Sequence, residues 1–143
     1  MNGMAGGQML DIEAEAGAAQ TLDSIISIQT HKTGALFRFA CEAGAIMAGT
    51  DRGPLCRYAD NVGLAFQITD DLLDLESTPQ ELGKATQKDS GKGKATIASL
   101  MGPDAAQAKA QELAESAIAA LAPCGSEAET LREAARFIVS RKK

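Results

Sequence analysis

Aromatic side chains are scarce in this sequence: they make up 3% of its 143 residues, and tryptophan is absent. With alanine abundant instead, close helix-helix packing through small residues is the natural use of the composition. Basic charge is also in deficit. A formal net charge of -5 argues against a protein built to grip the nucleic-acid backbone, although an acidic total leaves room for a local basic site. Cysteine is sparse and odd in number; Cys41, Cys56 and Cys124 stand at wide, unrelated spacings, so neither a disulfide framework nor a zinc site is indicated. They read as small buried hydrophobes in a reducing compartment. No apolar run approaches the roughly 18 residues of a membrane span, and the N-terminus lacks a basic-then-apolar leader, so the expectation is a cytoplasmic protein. The glycines form no G-x-x-x-x-G-K-[ST] loop, which removes support for nucleotide binding.

What is present suffices for a core. Hydrophobic residues make up 45% of a chain one domain long, and nearly all of it shows helical periodicity punctuated by glycine and proline. No stretch alternates like a strand, so the fold class expected is all-α, a helical bundle. A first element ends near Glu15, at the break Ala16-Gly17-Ala18. A long helix runs from about Asp23, as N-cap, to about Ala48, where Gly49-Thr50 closes it. Another begins after Gly53-Pro54 and reaches about Leu75. Residues 77-94 are polar and glycine-rich and read as a mobile loop. A short apolar turn, Ile97 to Met101, leads to Asp104, which can cap a helix to about Leu121. Ser126-x-x-Glu129 has the form of a capping box opening a last helix with Leu131, Ala135, Ile138 and Val139 on one side.

Chemistry concentrates in three segments. In Gly63 to Asp74, the residues Gln67, Asp70, Asp71 and Asp74 fall at i, i+3, i+4 and i+7, one narrow polar stripe flanked by apolar residues on almost every side. That pattern implies a helix buried nearly all round, with carboxylates turned into a polar cavity. Three such close carboxylates repel one another unless a cation sits among them, and a hard ion such as Mg²⁺ suits them. The competing reading is a solvated acidic helix end. In the long helix, Lys32 of His31-Lys32-Thr33 shares a stripe with Ile25, Ile28 or Gln29, Leu36, Phe39 and Ala43, a face otherwise apolar apart from Gln29; there it either snorkels to the surface or meets an anion. His31 reads as an ordinary hydrogen-bonded or exposed histidine. The loop carries Lys84, Lys88, Lys92 and Lys94 against Asp89, which suits a lid over a metal-bound polyphosphate but equally a plain solvated loop.

Taken in order, Gly7-Gln8, His31-Lys32-Thr33-Gly34-Ala35-Leu36, Phe66-Gln67-x-x-Asp70-Asp71-x-x-Asp74, Leu82-Gly83-Lys84 and Gly93-Lys94-Ala95-Thr96 resemble the trans-prenyl diphosphate synthases, and among them the bacterial farnesyl and geranylgeranyl diphosphate synthases. The resemblance covers nearly the whole chain. It implies that residues 1-143 are the C-terminal half of the isoprenoid synthase fold, with Met1-Asn2-Gly3 inside a helix. The implied reaction is a head-to-tail condensation of isopentenyl diphosphate with an allylic diphosphate, giving farnesyl or a similar short-chain product. Carried over residue by residue, Asp70 is the direct Mg²⁺ ligand, with Asp71 and Asp74 completing the motif. Lys32, Lys84, Lys94 and Gln8 hold diphosphate, and Thr33 and Gln67, with Lys32, sit beside the developing carbocation. The family's first aspartate-rich motif and the paired arginines after it are absent, so the chain alone is expected to be inactive. The resemblance also implies a homodimer or other homo-oligomer, with the small-residue run from Ala40 to Ala45 as the close contact. A scaffold homologue without catalysis is the alternative; a terpene cyclase, which needs a more aromatic cavity, fits less well.

Overall fold

The computed structural model describes residues 3-15, 21-76 and 95-142, and among them every regular element is helical. These are α1 (Met4–Glu15), α2 (Leu22–Gln29), a π-helical segment (Thr30–Gly34), α3 (Ala35–Met47), α4 (Gly53–Glu76), α5 (Ile97–Met101), α6 (Pro103–Ala120), a 3₁₀ segment (Ala122–Ala128) and α7 (Glu129–Ser140). The lysine-rich loop expected over 77-94 lies outside the described residues. Gly3 stands just before α1 with a positive φ of 85°, so the resemblance's placement of this residue inside a helix does not hold.

α4 is the axis of the structure. Its residues Tyr58, Val62, Ala65, Ile68 and Leu72 recur at helical spacing and are all buried. α6 lies along it, burying Ala106, Ala110, Ala114 and Ala117, which is where the alanine-rich composition goes: side chains that short let two helix backbones approach closely. Two clusters result. Ile25, Ile68, Leu72 and Ile97 join α2, α4, α5 and α6 at one end, and Tyr58, Val62, Leu121, Ala128 and Ala135 join α4, α6 and α7 at the other.

The helix ends follow local chemistry, with corrections to the sequence reading. Thr21, not Asp23, caps α2 through a box with Ser24. Thr96 and Ser99 form a second box that turns the short apolar stretch 97-101 into helix α5. Gly102, at φ 86°, takes the cap position of α6, which leaves Asp104 inside the first turn. The box expected at Ser126 and Glu129 does not form; the chain enters α7 through the 3₁₀ segment, and Glu129 instead pairs with Arg132 and Arg136. Gly49 closes α3 as expected, its N–H reaching Ile46 O at 3.1 Å and that of Thr50 reaching Ala45 O at 3.1 Å, the Schellman arrangement.

The largest departure is the register of the long helix. A stripe through Ile25 and Ile28 continues, by simple counting, to Leu36 and Phe39, yet Phe39 is 71% exposed. The π turn at 30-34 inserts one residue into the helical repeat and rotates everything after it. Phe37, Cys41 and Ala45 consequently face α4, while Leu36, Phe39, Ile46 and Met47 face outward. Ala45 is therefore fully buried within its own chain and cannot serve the contact between copies expected of the run 40-45.

Candidate functional site

The site begins at a close crossing of two backbones. A β-carbon on Gly7 would stand 2.3 Å from Lys32 N and 2.6 Å from His31 C, so only glycine lets α1 lie against the π segment there. Four residues on, Asp11 sits on the same face of α1, and its Oδ2 receives the Lys32 ammonium at 2.7 Å. Asp11 is 4% exposed, and a carboxylate so buried is maintained by pairing. Lys32 is thus held in place by its own chain, with its side chain still 38% exposed. The neighbouring His31 donates from Nδ1 to Ser27 O at 2.8 Å, an ordinary local hydrogen bond. Thr33 completes the π segment, and Gly34 lies against Gly63 of α4, whose own β-carbon would come 3.3 Å from Gly34 Cα.

On α4 the polar stripe is less enclosed than its apolar flanks suggest. Gln67 and Asp71 are half-buried, whereas Asp70 and Asp74 are exposed, as is the flanking Leu75. The described neighbours of α4 pack on its other faces and leave Asp70 and Asp74 outward, so of the three carboxylates Asp71 alone is turned inward. Asp71 is drawn inward by α5: its Oδ2 accepts from Ile97 N at 3.0 Å, at the start of that helix. Burial pushes the Asp71 carboxyl above the usual carboxylate range, the Ile97 and Ala98 amides pull it back, and the charges of Asp70 and Asp74 add to the rise. Asp70 faces Arg141, whose Nη2 lies 3.1 Å from Asp70 Oδ1 and whose guanidinium stacks over the Phe66 ring at 4.5 Å.

The two parts of the site meet. Asp11 and Asp71 line one cavity of about 150 Å³ together with Ile25, Ile28, Gln29 and Thr96. Gln8 is exposed on α1, while Lys84 and Lys94 lie outside the described residues. Two residues of the site had no role in the sequence reading. Asp11 was within reach, because it stands one turn beyond Gly7; Arg141 carried no signal, since its partner is 71 positions away.

Magnesium fits these donors in a restricted sense. Among the described residues no three His, Cys, Asp or Glu groups are arranged to hold a metal ion. Asp70 and Asp74 nevertheless offer hard oxygens on one open face while Asp71 is engaged by α5, and a largely hydrated Mg²⁺ commonly rests on one or two carboxylates, with phosphate oxygens and water completing its shell.

The chain is similar to known proteins over most of its length. A polyprenyl synthetase family model matches residues 1–135. The chain is 42% identical over 142 residues to a dimethylallyltranstransferase of Fischerella ambigua (strain UTEX 1903), covering 97% of this chain and 41% of that protein. It is 40% identical over 149 residues to farnesyl diphosphate synthase of Escherichia coli (strain K12), covering 99% of this chain and 49% of the relative. The crystal structure of an FPP/GFPP synthase from Zymomonas mobilis superimposes with a TM-score of 0.80 at 46% identity, over 95% of this chain and 45% of that one. The chain thus spans about half the length of the relatives it matches. With this match over most of its residues and the same all-α isoprenoid synthase fold, the chain belongs to the polyprenyl synthetase family.

Proposed function

We propose that the chain is the C-terminal half of a prenyl diphosphate synthase that joins isopentenyl diphosphate to dimethylallyl or geranyl diphosphate, giving farnesyl or a similar short-chain diphosphate. The observation that carries the proposal is that the buried Asp11, paired with a partly exposed Lys32, and the half-buried Asp71 line one cavity beside the exposed Asp70 and Asp74. A purely structural helix pair gains little from burying a carboxylate that needs a cation to hold it, and apolar residues of similar volume often replace such a pair without loss. A catalytic reading therefore has more support than a scaffold that only keeps the fold.

In that reaction the allylic C–O bond breaks with its electron pair leaving on diphosphate, the isopentenyl double bond attacks the cation, and a proton is lost. Magnesium, when bound, neutralises charge on the leaving diphosphate. Asp70 and Asp74 hold it, while Asp71, tethered to α5, fixes the direction of the stripe. Lys32, kept in place by Asp11, supplies a positioned cation, and Lys84, Lys94 and Gln8 add diphosphate contacts. Fixed charge placed where negative charge develops favours the transition state over the ground state. Thr33 and Gln67 stand beside the cation. Apolar helix faces keep water from it.

The isolated chain should not turn over dimethylallyl and isopentenyl diphosphates, because half of the clamp belongs to residues it does not contain. Measurable product would overturn this part of the proposal. In the full-length parent, Asp70→Ala should lower kcat by about two orders of magnitude, as loss of a group aimed at developing charge does. The surface change Glu112→Ala, at a residue paired with Lys109 on α6, is the control. Equal kinetic effects from the two would reject the assignment of Asp70.

A further inference from the structure

The last described turn of the chain carries a cation that the proposed reaction leaves unused. Beyond α7 the backbone becomes extended at Arg141, whose N–H still bonds to Phe137 O at 2.9 Å, so the residue's starting point is fixed by the helix. Its guanidinium then returns to α4 and meets two residues one turn apart, stacking on Phe66 and donating to Asp70 Oδ1 at 3.1 Å. Phe66 is itself braced by Phe37, with ring centroids 5.6 Å apart. Arg141 is only 22% exposed, and its Nε is buried with no hydrogen-bond acceptor among the described residues.

We propose that Arg141 is the resident counter-ion of Asp70 in the metal-free chain, and that loading a divalent cation onto Asp70 displaces it, so that the end of α7 reports metal occupancy. This rests on the reading of Asp70 as a metal-binding carboxylate. A carboxylate that gives its charge to an inner-shell dication holds a guanidinium at 3.1 Å much more weakly, because the two cations repel each other at that range. The exchange is feasible because Asp70 is 54% exposed, where a single ion pair is weak and screened by salt. Coupling between the two is reciprocal: whatever Arg141 contributes to holding Asp70 it subtracts from metal affinity, and metal binding loosens Arg141 by the same factor. Phe66 then keeps a place for the released side chain to return to, since its stacking contact does not depend on Asp70.

The experiment is a titration of the 143-residue chain with Mn²⁺, free ion being followed by its magnetic resonance signal, in the native chain and in Arg141→Gln, Arg141→Lys and Asp70→Asn. Arg141→Gln should bind Mn²⁺ about fivefold more tightly than the native chain, the size expected for removing one partly exposed ion pair. Arg141→Lys, which keeps charge but neither fork nor plane, should fall between them. Alongside, adding Mg²⁺ to the native chain should move the Arg141 Nε–H resonance toward its position in metal-free Asp70→Asn. If native and Arg141→Gln chains bind Mn²⁺ equally, the binding is lost in Asp70→Asn and the Nε–H resonance does not move, the displacement is wrong while Asp70 remains a metal ligand. If none of the four binds Mn²⁺, the metal reading fails and the displacement with it.

Discussion

Gly7 and Lys32 illustrate how narrowly single residues define this site. Any side chain on Gly7 collides with backbone atoms, which cannot turn aside as a side-chain tip can. Gly7→Ala should therefore destabilise the chain by about 3 kcal/mol, at the upper end of overpacking costs, and displace Lys32 from Asp11. Chemical denaturation checks the first effect. For the second, Lys32→Ala leaves Asp11 buried without its ammonium partner and should cost about 1–3 kcal/mol, whereas a surface lysine would cost almost nothing. An unchanged denaturation midpoint for Lys32→Ala would mean that Asp11 is held by its other contacts and that the pair is incidental.

At the scale of elements, α3 and α4 offer contrasting tests. Gly44 lies on the exposed side of α3, and nothing stands within 4 Å of the position its β-carbon would take. Gly44→Ala should stabilise by about 0.5–1 kcal/mol through helix propensity alone, the opposite sign from Gly7→Ala. Tyr58, the single tyrosine, donates to Leu131 O at 2.8 Å and ties α4 to α7. Burial, with the nearby Cys41 adding to it, pushes its phenol up to about 12. A raised acid group holds its proton more tightly in the folded state, so its contribution is complete below the unfolded value near 10 and is lost as pH rises through about 12. Absorbance titration should show the native phenol ionising near 12 and falling to about 10 in denaturant; an ordinary value in the folded chain would show that α4 and α7 do not close over it.

How much was legible in the sequence also divides by element. The i, i+3, i+4, i+7 polar stripe, the all-helical class and the glycine closure at Gly49 depend on periodicities and local conformations that neighbouring residues dictate, and they could be read directly. The π turn could not, because Thr30 to Gly34 has the composition of any helical stretch, and the turn exists to satisfy the crossing with α1 and the approach of Gly34 to Gly63. The outward face of α3 was displaced in consequence. The exposure of Asp70 and Asp74 escaped for a related reason, since apolar flanks indicate that a helix is packed but not on which side its neighbours stand.

As a whole molecule the chain leaves much apolar surface open. Met4, Met9, Leu10 and Ile12 are exposed on α1, and Leu36, Phe39, Ile46 and Met47 on α3, where Met47 reaches 88%. Apolar residues gathered in this way seldom stay bare in solution. The chain should associate, as a dimer or a larger oligomer through the outward face of α3, and light scattering at micromolar concentration should report a mass above one chain. No helix among the described residues is long and apolar enough to cross a membrane.

Calorimetric titration of pyrophosphate into the isolated chain, with and without Mg²⁺, tests most directly whether the acidic face of α4 and Lys32 form half of a prenyl diphosphate site. Weak binding that requires Mg²⁺ and disappears in Asp70→Ala is the predicted result. Binding of equal strength without the metal, or binding untouched by Asp70→Ala, would contradict it.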